Sequence, residues 1–100
     1  MPTSVSFHPA AVRDAEEATT WYAQRSLRTA ERFLDELDHL VELVAVAPGR
    51  FQPFDAGLRR AAFRRFPYYL VFRAGEARTE VLAVAHAKRR PGFWRDRVAR

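Results

Sequence analysis

The sequence predicts an α+β domain: an N-terminal strand, then an antiparallel helical hairpin packed on a mostly antiparallel four-stranded sheet, in the order β-α-α-β-β-β. Three observations predict it. Apolar residues from Leu27 to Val44 recur in steps of three and four, the signature of one buried helix face. The runs "YYLVF" and "VLAVAHAK" are short and fairly apolar on both alternating faces, and read as central strands. The chain has 100 residues, enough for one domain and one modest core.

The elements follow in order. "SVSFH" (4–8) alternates polar and apolar residues and reads as a short strand. Pro9 suits the first turn of a helix, where its missing N–H costs nothing. From Ala10 to about Arg25, Ala11, Ala15, Ala18 and Tyr22 fall at helical spacing. Asp14, Glu16 and Glu17 crowd its early turns, where the helix dipole favours negative charge. Ser26 is an N-cap for a second helix. Its apolar set is Leu27, Ala30, Phe33, Leu34, Leu37, Leu40, Val41 and Val44, with Glu31, Asp35, Asp38 and Glu42 on the solvated face. Pro48 and Gly49 end it.

"FQPFDAG" (51–57) reads as a loop, and three strands follow at about 58–65, 68–74 and 79–87. "AGEAR" (74–78) is the hairpin turn between the last two. Tyr68, Leu70 and Phe72 share one face, and Tyr69 and Val71 the other. In the last strand Leu82, Val84 and His86 are expected on one face, with Val81, Ala83 and Ala85 opposite. The tail turns at Pro91-Gly92 and ends in a short turn or helix.

Composition narrows the function. The absence of cysteine excludes disulfides and thiolate metal sites and fits a reducing compartment. "MPTSVSFHPA" has neither a basic start nor an apolar run, and no segment is apolar for the length of a bilayer. A cytoplasmic protein with no membrane partner is expected. His8 and His39 show no metal-ligand spacing, so neither a metal nor another cofactor is expected. Residues 1–49 carry a net charge of −4 and residues 50–100 a net charge of +9. The stretch "LRRAAFRRFPYYLVFR" (58–73) alone holds five arginines. That asymmetry points to a polyanionic partner, with the guanidinium groups of the C-terminal sheet converging on one concave surface.

"A-x-x-D-A-x-x-A-x-x-W-Y" (11–22), "A-x-R-F-x-x-x-L" (30–37), the Pro48-Gly49 and Arg59-Arg60 pairs, "F-P-Y-Y-L-V-F-R" (66–73) and "V-L-A-V-A-H-x-x-R-x-P-x-x-W" (81–94) follow one another across nearly the whole chain. In this order they resemble the RelE/ParE superfamily of bacterial type II toxins. The resemblance implies a single toxin domain over residues 1–100, inhibiting growth when free of a cognate antitoxin and contributing to plasmid stabilisation. Two activities occur in the superfamily. ParE-like members poison DNA gyrase without a catalytic set. RelE-like members cut messenger RNA on the ribosome, using the 2′-OH as nucleophile and no metal.

The nuclease reading needs a base, an acid and cations around one phosphate. It assigns His86, Arg60 and Arg65 as catalytic candidates. Arg59, Arg64, Arg73, Arg89 and Arg90 are candidate target-binding residues, because a guanidinium grips two phosphate oxygens at once. Trp94 is a candidate for stacking on a base. Of the adjacent Arg59 and Arg60, at most one should point into a site. RelE-like enzymes also tend to use lysines near the second strand and a tyrosine near the C-terminus. This sequence has a single lysine, Lys88, outside that region, and Phe93-Trp94 in place of the tyrosine. That departure favours the gyrase reading over the nuclease, and whether the chain is an enzyme stays open.

Overall fold

The computed structural model describes residues 3–55 and 57–98. Strand β1 (Ser4–Phe7) leads into helix α1 (Pro9–Ala23) and helix α2 (Leu27–Val46). A 3-10 turn at Pro48–Arg50 is followed by β2 (Gln52–Phe54), β3 (Leu58–Ala62), β4 (Tyr68–Ala74), β5 (Arg78–His86) and a short α3 (Arg95–Val98). The strands form one sheet in the order β1-β5-β4-β3-β2. β1 runs parallel to β5, and the other neighbours are antiparallel.

The α+β architecture is as expected, with one strand added. Residues 52–54 fall in the expected 51–57 loop, yet they pair with β3 from Gln52↔Arg60 to Phe54↔Leu58. Pro53 is tolerated because β2 is the sheet edge, where a missing N–H breaks no ladder. Ala56, in the same expected loop, lies outside the described residues.

Local chemistry fixes the helix ends. The Nδ1 of His8 accepts the Ala10 N–H at 3.0 Å and caps α1. The Ser26 hydroxyl accepts the Thr29 N–H at 3.2 Å and caps α2, as its sequence position indicates. On α2, Ala30, Phe33, Leu37, Leu40 and Val44 are buried. Leu27 and Leu34, expected on that stripe, are 72% and 41% exposed. Leu27 is the first helical residue, and Leu34 sits at the margin of the stripe, facing α1 across a surface groove with Val12.

The sheet separates two apolar layers. On one face Phe33, Leu37, Leu40 and Val44 of α2 and Ala11 and Ala18 of α1 pack on Ala61, Leu70, Phe72, Val81 and Val84. On the other face Leu58, Tyr69, Val71, Leu82, Ala83 and Ala85 are covered by Trp94, with Phe93 and Val98 beside it. The C-terminal segment is therefore a third layer, admitted by the Pro91-Gly92 turn, where Gly92 has φ of 88°.

β4 presents its faces as expected, but β5 does not. Its register jumps between Val71↔Ala83 and Phe72↔Val81, leaving Leu82 without a partner residue on β4. This is a β-bulge, and it breaks the period of two. Val81 therefore joins Val84 on the helix face, and Leu82 joins Ala83 and Ala85 on the tail face.

Candidate functional site

The bulged strand is also where the sheet loses a neighbour. β1 pairs with β5 only as far as Phe7↔Val81, and then the chain turns away into α1, with the His8 N–H donating to the Val81 carbonyl at 2.8 Å. Beyond that point the edge of β5 would be left with unpaired backbone groups, a costly state in a buried setting. Side chains take them instead. Asp14 of α1 accepts the Val84 N–H at 3.0 Å, and Arg97 of α3 donates to the Leu82 carbonyl at 2.9 Å. Arg97 also binds Asp14 through both guanidinium ends, at 2.7 and 3.3 Å. Asp14 is only 8% exposed. Arg89 stands 3.8 Å from the same Oδ1 that Arg97 contacts.

Beside this ion pair a cleft of about 530 Å³ opens between α1 and the ends of β4 and β5. Glu17, Trp21, Tyr22, Tyr68, His86 and Arg89 line it. Tyr68 and His86 are cross-strand partners, their rings 4.9 Å apart and edge to face. The Nδ1 of His86 accepts the Lys88 N–H at 3.0 Å, which fixes the turn after β5. The Tyr68 phenol is pushed above its ordinary value, first by burial and then by Tyr22, Asp14 and Glu17; burial does the same to Tyr22.

The arginines do not converge. Arg59 lies on the helix face of β3, opposite Phe72, and donates to the Phe51 carbonyl at 2.8 Å. Arg60, next in the strand, lies on the opposite face, 4.5 Å over the Tyr69 ring. Arg73 pairs with Glu80 directly across the β4–β5 ladder at 2.9 Å. Arg64 and Arg65 belong to the β3–β4 connection, expected from sequence as the end of a strand. Both oxygens of Glu36 accept their backbone N–H groups, drawing that connection onto α2 beside Arg32 and His39. Arg89 stacks 3.6 Å over Phe93. Arg90 is exposed in the turn after β5.

The expected single basic concavity is thus replaced by several small groups on different surfaces. Strand alternation separates Arg59 from Arg60, Glu80 holds Arg73, and Glu36 pulls Arg64 and Arg65 away. Trp94 is 2% exposed beneath the tail, so it cannot stack on a base. Its ring instead meets Tyr69 and Phe93 edge to face.

The family model described as the ParE toxin of the type II toxin–antitoxin system parDE matches residues 5–91. The chain belongs to the ParE toxin family. A solved structure described as the chromosomal ParDE toxin–antitoxin system from P. aeruginosa superposes with a TM-score of 0.75 at 14% identity, covering 86% of this chain and 97% of that one. It supports the fold. A search of curated proteins finds no match.

Two structural anchors of the toxin escaped the sequence reading. Asp14 reads there as a surface acid answering the helix dipole, yet it is the buried anchor of the β5 edge. Its place between Ala11 and Ala18, three residues from one and four from the other, is the signal: it sits on the buried stripe of α1. Glu36 carries no comparable mark, because its partners are backbone N–H groups of a distant connection. Among the described residues no helix is long and apolar enough to cross a membrane.

Proposed function

We propose that this type II toxin acts as a binding inhibitor with DNA gyrase as its target, and that a cognate antitoxin protein holds it inactive. The observation that carries this reading is the separation of His86, Arg60 and Arg65. Metal-independent RNA cleavage asks for a base, an acid and phosphate-gripping cations within hydrogen-bond reach of one phosphodiester. Here His86 faces the α1 cleft, Arg60 lies on the opposite face of the sheet, and Arg65 flanks α2. The membership in the ParE family points the same way. An antitoxin segment fits the apolar groove between α1 and α2 that leaves Val12 and Leu34 exposed.

Ribosome-dependent mRNA cleavage has one observation in its favour: His86 and Arg89 share a cleft. In that cleft Asp14 is neutralised by Arg97 and stands beside Arg89, and the Glu17 carboxylate repels a phosphodiester. The test pairs a supercoiling assay on purified gyrase with mapping of RNA ends on translating ribosomes. Loss of supercoiling with intact transcripts is expected. Fresh cuts inside codons with unaffected gyrase would overturn the proposal.

A further inference from the structure

We propose that the end of the sheet formed by the β3–β4 connection (63–67) and the turn after β5 (87–91) is a binding surface for the phosphate backbone of duplex DNA. The choice of DNA over RNA rests on the gyrase reading. The contact itself goes beyond that reading, because it needs no gyrase.

The two connections are neighbours. The Ala87 N–H donates to the Pro67 carbonyl at 2.7 Å, and Tyr68 and His86 behind them are cross-strand partners. Together they carry Arg64, Arg65, Lys88, Arg89 and Arg90, all exposed, and no acidic residue. Their backbones are held without spending these five side chains. Glu36 accepts the Arg64 and Arg65 N–H groups. His86 accepts the Lys88 N–H at Nδ1 and the Arg89 N–H at its carbonyl, both at 3.0 Å. Among the described residues Arg64, Arg65, Lys88 and Arg90 enter no ion pair.

Each nearby charge counts once. Asp14 cancels Arg97, which grips it from 2.7 Å, and leaves Arg89 unmatched. Asp35 cancels Arg32 in the groove beside α2. Glu36 in that groove, and Glu17 beside Arg89 in the α1 cleft, then stand against five cations. The excess is three positive charges, which calls for an anionic partner.

The lack of apolar anchors selects DNA over an acidic protein. A protein interface draws its affinity from a desolvated, largely apolar or aromatic centre. The exposed large apolar side chains of the described residues, from Val12 to Val46, all lie on the helical hairpin, and none lies on either connection. DNA needs no such centre, because lysine and arginine displace its condensed counterions. A guanidinium fork also matches two oxygens of one phosphate. Neither connection is a helix or a β-ribbon that would enter a groove, so the contact is with the backbone and independent of sequence.

The test measures binding of the full-length chain to a short fluorescent DNA duplex by anisotropy across a salt series. Binding at low salt is expected, with affinity falling about a hundredfold or more from about 50 to about 200 mM salt. Arg64→Gln/Arg65→Gln and Lys88→Gln/Arg90→Gln should each flatten the slope of log affinity against log salt by about two. Arg13→Gln/Arg78→Gln removes the same charge from exposed positions on neither connection and should leave the slope within about half a unit. All six side chains are exposed, so the variants should fold, and an unchanged thermal midpoint verifies it. No binding at low salt, equal loss in all three variants, or competition by polyglutamate as strong as by unlabelled duplex each overturns the proposal. Tighter binding of an RNA duplex overturns the choice of DNA. Loss of supercoiling caused by a toxin that binds no duplex overturns this proposal and leaves the gyrase reading standing.

Discussion

At the scale of single residues, Asp14 and Arg97 show how one ion pair can replace part of a missing strand. Each acts twice, once on the other and once on a backbone group of β5. Desolvating two charges is expensive, and the four contacts together are what offset it. The loss of either partner is therefore worse than the loss of a surface pair. Arg97→Ala leaves a buried carboxylate with Arg89 at 3.8 Å as its remaining cation, and leaves the Leu82 carbonyl without that donor. We expect it to destabilise the fold by about 3–5 kcal/mol in urea unfolding. Asp14→Asn/Arg97→Gln should recover part of that loss, since the buried charge goes with its partner. A cost under about 1 kcal/mol for Arg97→Ala would mean that the pair behaves as an exposed one. The sequence held half of this: Asp14 stands on the buried stripe of α1. Arg97, in an arginine-rich tail, carries no such sign, because its partner is 83 residues away in the chain.

At the scale of elements, the helices and the central strands were legible because each is governed by its own period and caps. Ser26 marks the start of α2, and the stripe from Ala30 to Val44 marks its buried face. Two things were not legible. β2 is three residues long and contains a proline, so it exists only because β3 offers it an edge. The bulge at Leu82 arises from the register of two strands together, and no single strand records it. The connection between β3 and β4 is the third such case. Residues 63–67 are two phenylalanines, two arginines and a proline, and nothing in them specifies a direction. Glu36 supplies it from α2 by accepting two successive backbone N–H groups. Glu36→Ala should free that connection without disturbing the core. Hydrogen exchange at the Arg64 and Arg65 amides should accelerate by at least about tenfold, matching the loss of roughly 1.4 kcal/mol of local protection. The Val84 amide, held by Asp14, should keep its rate. Equal acceleration at all three would place the effect in global stability instead.

At the scale of the whole molecule, composition sets an expectation for a partner's charge but not for where it would sit. The halves carry −4 and +9, so attraction to a polyanion follows from the sequence alone. Where the arginines point does not follow, because each was directed by a contact the sequence does not display: Phe51 for Arg59, Tyr69 for Arg60, Glu80 for Arg73. A spread of basic groups suits encounter with a large charged complex, whereas bond cleavage needs them gathered at one phosphate. This difference can be measured through His86. A general base or acid contributes about 10²- to 10⁴-fold to a rate, so a nuclease that used His86 would lose nearly all toxicity on His86→Ala. In the binding reading His86 only accepts the Lys88 N–H and packs against Tyr68, and its loss costs about 1 kcal/mol of stability. Growth inhibition by His86→Ala, scaled to the amount of folded toxin in the cell, should therefore stay within about tenfold of the parent. The same should hold for Arg60→Ala and Arg65→Ala, and the three effects should add, because residues on separate surfaces share no transition state. A hundredfold collapse on His86→Ala alone, with the folded amount unchanged, would return the toxin to the RNA-cleaving class.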